Sequence, residues 1–205
     1  MKIFVAGATG RVASKLLKRL SDKDYDVIAG ARRPELVLEL PHVKPQKMDL
    51  HASVDELGVL LKGVDAIIFT AGSRGKDLLQ TDAYGAVKLM QAAKKVGVTR
   101  FVMLSALFSL SPEKWPENLK DYYVAKFFAD NYLINQSDLD YTIIQPGGLL
   151  EEAGQGCIEL GDKGFTVISI EDTASVLAEV VDKSSTVKRV IAINPGDTPI
   201  EKIFD

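Results

Sequence analysis

The residues with the clearest chemical meaning are the glycines near the start of the chain. Gly7-Ala8-Thr9-Gly10-Arg11-Val12-Ala13 follows a short apolar run and opens a helical pattern. Gly7 can take the tight turn that leaves a strand, Gly10 lets backbone come close to a pyrophosphate, and Ala13 is small enough for a helix to pack near a sheet. A helix N-terminus there offers unpaired N–H groups and positive partial charge to phosphates. The turn is therefore expected to hold a dinucleotide. Its type is read about 20 residues further on, where an NAD site places an acid. Here the second strand candidate ends Ala29-Gly30-Ala31-Arg32-Arg33, with no acid. Two arginines suit a 2′-phosphate through charge-assisted hydrogen bonds. NADP(H) is the expected coenzyme, with Arg32 as the main contact, Arg33 beside it, and NAD(H) as the other candidate. Asp49 and Leu50, ending the third strand, are placed to line the adenine. Ala71, Gly72 and Ser73, ending the fourth, are placed to pass under the ribose.

A second set could carry the reaction. In Tyr122-Tyr123-Val124-Ala125-Lys126, Tyr122 and Lys126 are four apart and share a face if the stretch is helical. A lysine charge beside a phenol favours the phenolate. Such a tyrosine can give a proton to a carbonyl while hydride arrives, or take it back in reverse. Ser105, at the end of the fifth strand, is placed to orient the same carbonyl, and Lys126 to hold the nicotinamide ribose as well. Ser105, Tyr122 and Lys126 are the expected catalytic residues.

Other reactive types carry less. His42 and His51 are the two histidines, neither with a second ligand at metal spacing, so no metal site is expected. Cys157, the one cysteine, reads as a small filler, and a single cysteine allows no internal disulfide. Trp115, between Pro112 and Pro116, is a candidate substrate wall or a packing residue. Lys76 and Asp77 lie beyond the fourth strand and receive low weight.

These groups need a frame. The chain has 205 residues, 46% hydrophobic and 26% charged, with a net charge of −3, which suits one domain with a full core. There is no basic stripe for nucleic acid and no polybasic patch or apolar span for a membrane. The opening MKIFVAGATG is read as carrying no secretory leader, and a cytoplasmic location is expected. Strand candidates at 2–6, 26–31, 43–48, 65–70, 100–105, 141–145, 166–170 and 187–193 alternate with helical patterns at 11–20, 81–96, 119–136 and 172–181. Gly97 reads as a helix stop and Asp172 as a candidate N-cap. The alternation predicts an α/β fold with a doubly wound parallel sheet and helices on both faces. The whole chain, 1–205, is expected to be one domain. Gly147 to Gly164 reads as irregular, and 147–170 as a loop region on the substrate side. The tail from Pro199 reads as one helical turn.

With these segments in order, the sequence resembles the atypical short-chain dehydrogenase/reductase proteins. It is most similar to the small NAD(P)H-binding, NmrA-like and flavin/biliverdin-reductase-like types. GATGRVASKL at 7–16, ARRPE at 31–35, DAIIFTAGS at 65–73, RFVMLSAL at 100–107, YYVAK at 122–126 and DYTIIQPGGL at 140–149 carry the likeness. The resemblance implies a Rossmann-type sheet of seven or eight strands with a truncated substrate lobe. It implies that Gly7, Thr9, Gly10, Arg11 and Val12 cradle the pyrophosphate and that Arg32 meets the 2′-phosphate. It puts Asp49 and Leu50 at the adenine, Ala71 to Ser73 along the ribose, and Pro146, Gly147, Gly148 and Leu149 near the nicotinamide. Ser105, Tyr122 and Lys126 match a carbonyl-reducing set. Gln145 departs from the pattern, which often has arginine before the proline-glycine. The leading expectation is an NADP(H)-dependent reductase of a small carbonyl or quinone-like molecule, acting as a monomer or homodimer. Two others stand beside it. One is an NADP(H)-binding redox sensor with little catalysis. The other is a flavin or tetrapyrrole reductase using direct hydride transfer.

Overall fold

A computed structural model describes residues 1–205. Up to residue 146 strands largely alternate with helices: β1 (Lys2–Ala6), α1 (Arg11–Asp22), β2 (Asp26–Ala31), β3 (Val43–Lys47), α2 (Val54–Leu60), β4 (Ala66–Phe69), α3 (Tyr84–Val96), β5 (Arg100–Leu104), α4 (Lys120–Asn135) and β6 (Asp140–Pro146). These six strands are parallel and lie in the order β6-β5-β4-β1-β2-β3. The order reverses between β1 and β4, and ligands of such sheets bind at that switch point beyond the strands' C-terminal ends. The rest of the chain adds β7 (Gly148–Leu150), β8 (Cys157–Leu160), β9 (Val167–Ser169), α5 (Ile170–Val180), β10 (Arg189–Pro195) and β11 (Thr198–Pro199). β10 joins β6 in parallel, and β8 and β11 extend that edge antiparallel.

The inner strands β1, β4, β5 and β6 are buried on both faces, which is why they read as largely apolar runs, whereas the edge strand β3 (VKPQK) is mostly exposed. Ile3 and Val5 of β1 pack toward α1 and α5, while Phe4 and Ala6 pack toward α2, α3 and α4. β4 divides the same way, Ile68 to one side and Ile67 and Phe69 to the other. No helix is long and apolar enough to cross a membrane.

The doubly wound Rossmann fold is as expected, with differences at its edges. The main sheet has nine strands, not seven or eight. β8 lies where an irregular loop was expected, because it finds a partner on the exposed edge of β10, and β11 pairs with β8 just before the tail, whose residues 200–204 form turns as expected. β9 leaves the main sheet and pairs with β7. Helix α2 was not foreseen, although Ser53 and Glu56 form a full capping box at its start. The helix expected from residue 81 begins as a π-helical turn over Leu78–Ala83 before α3. Gly97, at φ 82°, ends α3 as its sequence position predicts. The N-cap of α5 is Ser169, whose hydroxyl accepts from the Asp172 N–H, so Asp172 sits inside the first turn.

Candidate cofactor and reaction site

The end of β1 is locked to the end of β2, since the N–H groups of Gly7 and Ala8 both donate to the Gly30 carbonyl at 2.9 and 3.0 Å. Gly7 has φ +89°, and a Cβ there would lie 2.6 Å from the Ala71 Cα, so only glycine fits between the ends of β1 and β4. Gly10 is the N-cap of α1 and supplies no side chain to cap it. The first intrahelical bond of α1 runs from the Ser14 N–H to the Gly10 carbonyl at 2.9 Å, so the N–H groups of Arg11, Val12 and Ala13 come before any intrahelical acceptor.

Above this turn lies a cavity of about 360 Å³. The structure brings Gly7, Thr9, Gly10, Arg32, Arg33, Asp49, Leu50, Ala71, Gly72 and Ser73 to its walls. Sequence reasoning missed Arg74 and Thr81 and gave little weight to Lys76, which all line it too. The signal for the two cations was available: they flank Gly75 just past the end of β4, where ligands of this fold sit. Arg32, Arg33, Arg74 and Lys76 make no ion pair and no side-chain hydrogen bond within the protein. Asp49 is the one acid in the lining. Beside the cavity, Asp77 accepts from Thr81 at 2.5 Å and lies 2.6 Å from His51 Nε2. These contacts, with a smaller effect from Arg32, hold its carboxyl below the ordinary range. Buried Asp82 accepts from the Ser73 N–H at 2.8 Å and fixes the turn that forms the cavity floor.

Not every expected residue reaches this cavity. Val12 is buried in the core under α1 and α5. Arg11 pairs with Glu151 at 3.1 Å, both side chains more than half exposed. Pro146 is buried in β6 opposite Ile193, and Gly148 and Leu149 pair with Val167 and Ile168. Gly147 is required by the backbone of Thr166, whose carbonyl would lie 2.1 Å from a Cβ. These four residues build the β6–β7 connection and do not line the cavity.

A second cluster forms where α4 packs over the end of β5, the strand next to β4. Tyr122 is half-buried, and Lys126 is 5% exposed with its Nζ 5.8 Å from the Tyr122 ring centroid. Lys126 Nζ donates to the Leu104 carbonyl at 3.1 Å. Ser105 lies on the same side of the sheet, but its hydroxyl donates to Asp130 Oδ2 at 2.5 Å. In this arrangement the hydroxyl that was expected to orient substrate donates its proton to Asp130. Ser109 donates to the same oxygen at 2.6 Å, and Gln145 Nε2 donates to Ser109 at 2.8 Å. Asp130 is fully buried, and burial pushes its carboxyl up to about 6, against the two serine hydrogen bonds and the Lys126 charge. Its other oxygen, Oδ1, has no partner. Sequence reading passed over Asp130 and Ser109. Asp130 is one helical turn beyond Lys126, which is the spacing that places both on one face. Trp115 stacks on Tyr123 with centroids 5.9 Å apart and donates to the Phe108 carbonyl, so it packs the start of α4. Burial raises the Tyr123 phenol above its ordinary value.

A family model described as NAD(P)H-binding matches residues 7–184. The chain is 39% identical to the uncharacterized sugar epimerase YhfK of Bacillus subtilis, over 98% of this chain and 97% of that protein. It is 35% identical to protein YMR090W of Saccharomyces cerevisiae, covering 100% and 97%. Among solved structures, the oxidoreductase ylbE of Lactococcus lactis is 48% identical, with a TM-score of 0.97 covering 100% of this chain and 95% of that one. The glycine turn, the switch-point cavity and these likenesses together place the chain in the NAD(P)H-binding family of the atypical short-chain dehydrogenase/reductase, NmrA-like type.

Proposed function

We propose that the protein is an NADP(H)-dependent oxidoreductase that reduces a small carbonyl or quinone-like substrate, with Tyr122 and Lys126 at the reacting end. The observation that carries this reading is the set of unpaired cations over the glycine turn. Arg32, Arg33, Arg74 and Lys76 line one cavity with a single acid, Asp49, and the backbone turn of Gly7, Thr9 and Gly10 that leads into α1 lines it too. That donor set fits a pyrophosphate and a further phosphate. Arg32 and Arg33 take the 2′-phosphate, Asp49 and Leu50 the adenine side, and Ala71 to Ser73 the ribose. Bound with its phosphates here, the coenzyme would supply the hydride.

The chain's own residues would then handle the proton. Lys126 uses one N–H on the Leu104 carbonyl and keeps two donors for a ribose hydroxyl or the Tyr122 oxygen. Tyr122, half-buried beside that charge, gives its proton to the carbonyl oxygen as general acid. Ser105 lies within the same arc but is held by Asp130.

Replacing Tyr122 with Phe is the test. NADPH-dependent turnover should fall by about 100-fold, the scale of a lost general acid, while calorimetric affinity for NADPH stays the same. Unchanged turnover would remove the tyrosine mechanism and leave direct hydride transfer to a flavin or tetrapyrrole. Absence of NADPH binding in the unaltered protein would remove the whole reading.

A further inference from the structure

We propose that Asp130 is a positioning residue for the reaction, acting through Ser105: its protonation state decides whether the Ser105 hydroxyl is held inward or turned toward the substrate carbonyl. The proposal rests on the reading of Tyr122 and Lys126 as the reacting pair. The geometry allows few arrangements. Ser105, Ser109 and Asp130 are all buried, and both hydroxyls donate to one carboxylate oxygen, Oδ2. While Asp130 is ionised, neither hydroxyl has a proton to offer elsewhere.

Protonation changes who donates. A proton on Oδ1 would be a buried donor with no acceptor, since nothing lies within hydrogen-bond reach of that atom. A proton on Oδ2 finds two serine oxygens within 2.6 Å. Ser109 already accepts from Gln145, whereas Ser105 accepts from no other side chain. The Oδ2 proton is therefore given to Ser105, and the Ser105 proton is released to point out of the network. Ser105 is the residue just past β5, beside the Leu104 carbonyl that anchors Lys126, so the released donor belongs to the reacting end.

The groups around Asp130 make this change accessible. Lys126 on α4 is the charged group that acts on it and favours ionisation. The end of β5 and the following loop contribute neutral Ser105 and Ser109, and β6 contributes neutral Gln145. Asp82, on the π-helical turn packed against α4, is tied to the Ser73 N–H at the β4 end. Burial outweighs Lys126 and the two serine hydrogen bonds and pushes the Asp130 carboxyl up to about 6.

Two readouts test the proposal. In the first, the carbon-13 shift of the Ser105 Cβ is followed against pH in the coenzyme-free protein. It should move with the same midpoint as the Asp130 carboxyl, and the movement should vanish in Asp130→Asn. In the second, NADPH-dependent reduction of 9,10-phenanthrenequinone is followed from pH 5 to pH 8. The unaltered protein should lose kcat/KM by about tenfold as pH rises, the worth of one hydrogen bond to the carbonyl. Asp130→Asn should hold the low-pH value throughout, and Ser105→Ala should be low and flat. Asp130→Ala, which removes the acceptor whichever way an amide would turn, should also be flat and high. A pH limb that survives in Asp130→Ala, or a Ser105 resonance that ignores the Asp130 titration, overturns the proposal. If the quinone is not reduced at all, the reductase reading fails, and the Ser105 resonance still decides whether Asp130 controls that hydroxyl.

Discussion

Two polar clusters sit side by side on the C-terminal edge of one sheet, and they are built in opposite ways. Over β1 to β4, Arg32, Arg33, Arg74 and Lys76 have no partner in the protein and open onto a cavity. Beside β5 and β6, Ser105, Ser109, Lys126, Asp130 and Gln145 are each less than a tenth exposed, and each is hydrogen-bonded within the fold. Water satisfies an exposed cation, so the first cluster can wait for an anion at little cost. Buried polar groups need partners within the fold, and all of these but Asp130 Oδ1 find one, so the second cluster has its positions set by the fold itself. The open cluster is suited to gripping a ligand that comes and goes. The sealed cluster is suited to fixing where Lys126 sits and which group receives the Ser105 proton.

The largest effect should come from breaking the floor that the open cluster stands on. Gly7→Ala places a Cβ 2.6 Å from the Ala71 Cα and 2.7 Å from its N, in a backbone conformation at φ +89° that alanine avoids. Backbone atoms cannot rotate away, so the ends of β1 and β4 must part. The expected cost is about 3–5 kcal/mol, combining overpacking with backbone strain. NADPH affinity should fall with it. Urea unfolding and calorimetry read both, and a variant with unaltered stability and affinity would show that the turn is looser than its contacts imply.

The sealed cluster should reveal itself through pH. Asp130 titrates near 6 in the fold, raised chiefly by burial, and near 4 in an unfolded chain. The fold thus keeps a proton that the open chain has already lost. Stability from this group is fully present below about pH 4, declines as pH rises to about 6, and stays lost above that. The loss is on the order of 3 kcal/mol at most. Asp130→Asn cannot ionise, so its stability relative to the unaltered protein should rise between pH 4 and pH 7 and then level off. Parallel stability curves for the two proteins would mean that Asp130 is not held in a low-dielectric site.

The contrast also explains what the sequence could reveal. The glycine turn, Arg32 and Arg33, and the ends of β3 and β4 each lie within a few residues of a strand end, so strand periodicity locates them one at a time. The sealed network joins residues 105, 109, 130 and 145, from β5's end, a loop, a helix and β6. No single segment announces it. Asp130 reads as one more polar residue on α4, and only the packing of α4 on β5 shows that it faces inward. The edge strands β8 and β11 were illegible for a related reason. They are short and exist because β10 leaves an open edge for β8, and β8 in turn leaves one for β11. The polar turn at Arg74 to Lys76 was legible in position but weak in type, since basic residues on a surface turn are ordinary.

The smallest change considered should sharpen the open cluster most. Arg32→Ala removes one of several cations, so it should leave the cavity and the fold intact. Arg32 is free to act on a ligand, because Asp77, the acid its charge reaches, already takes Thr81 and His51 as partners. NADP(H) and NAD(H) share the adenine, both riboses and the pyrophosphate, and differ by one phosphate. If Arg32 grips that phosphate, its loss should weaken NADPH by about tenfold, the scale of a charged hydrogen bond, and NADH by less than about twofold. Arg32→Lys keeps the charge but loses the planar fork, so it should fall between the two. Competitive calorimetry with both coenzymes gives the ratio directly. Equal weakening of both would move Arg32 to the shared pyrophosphate or adenine. The preference for NADP(H) would then have to come from Arg33, Arg74 or Lys76.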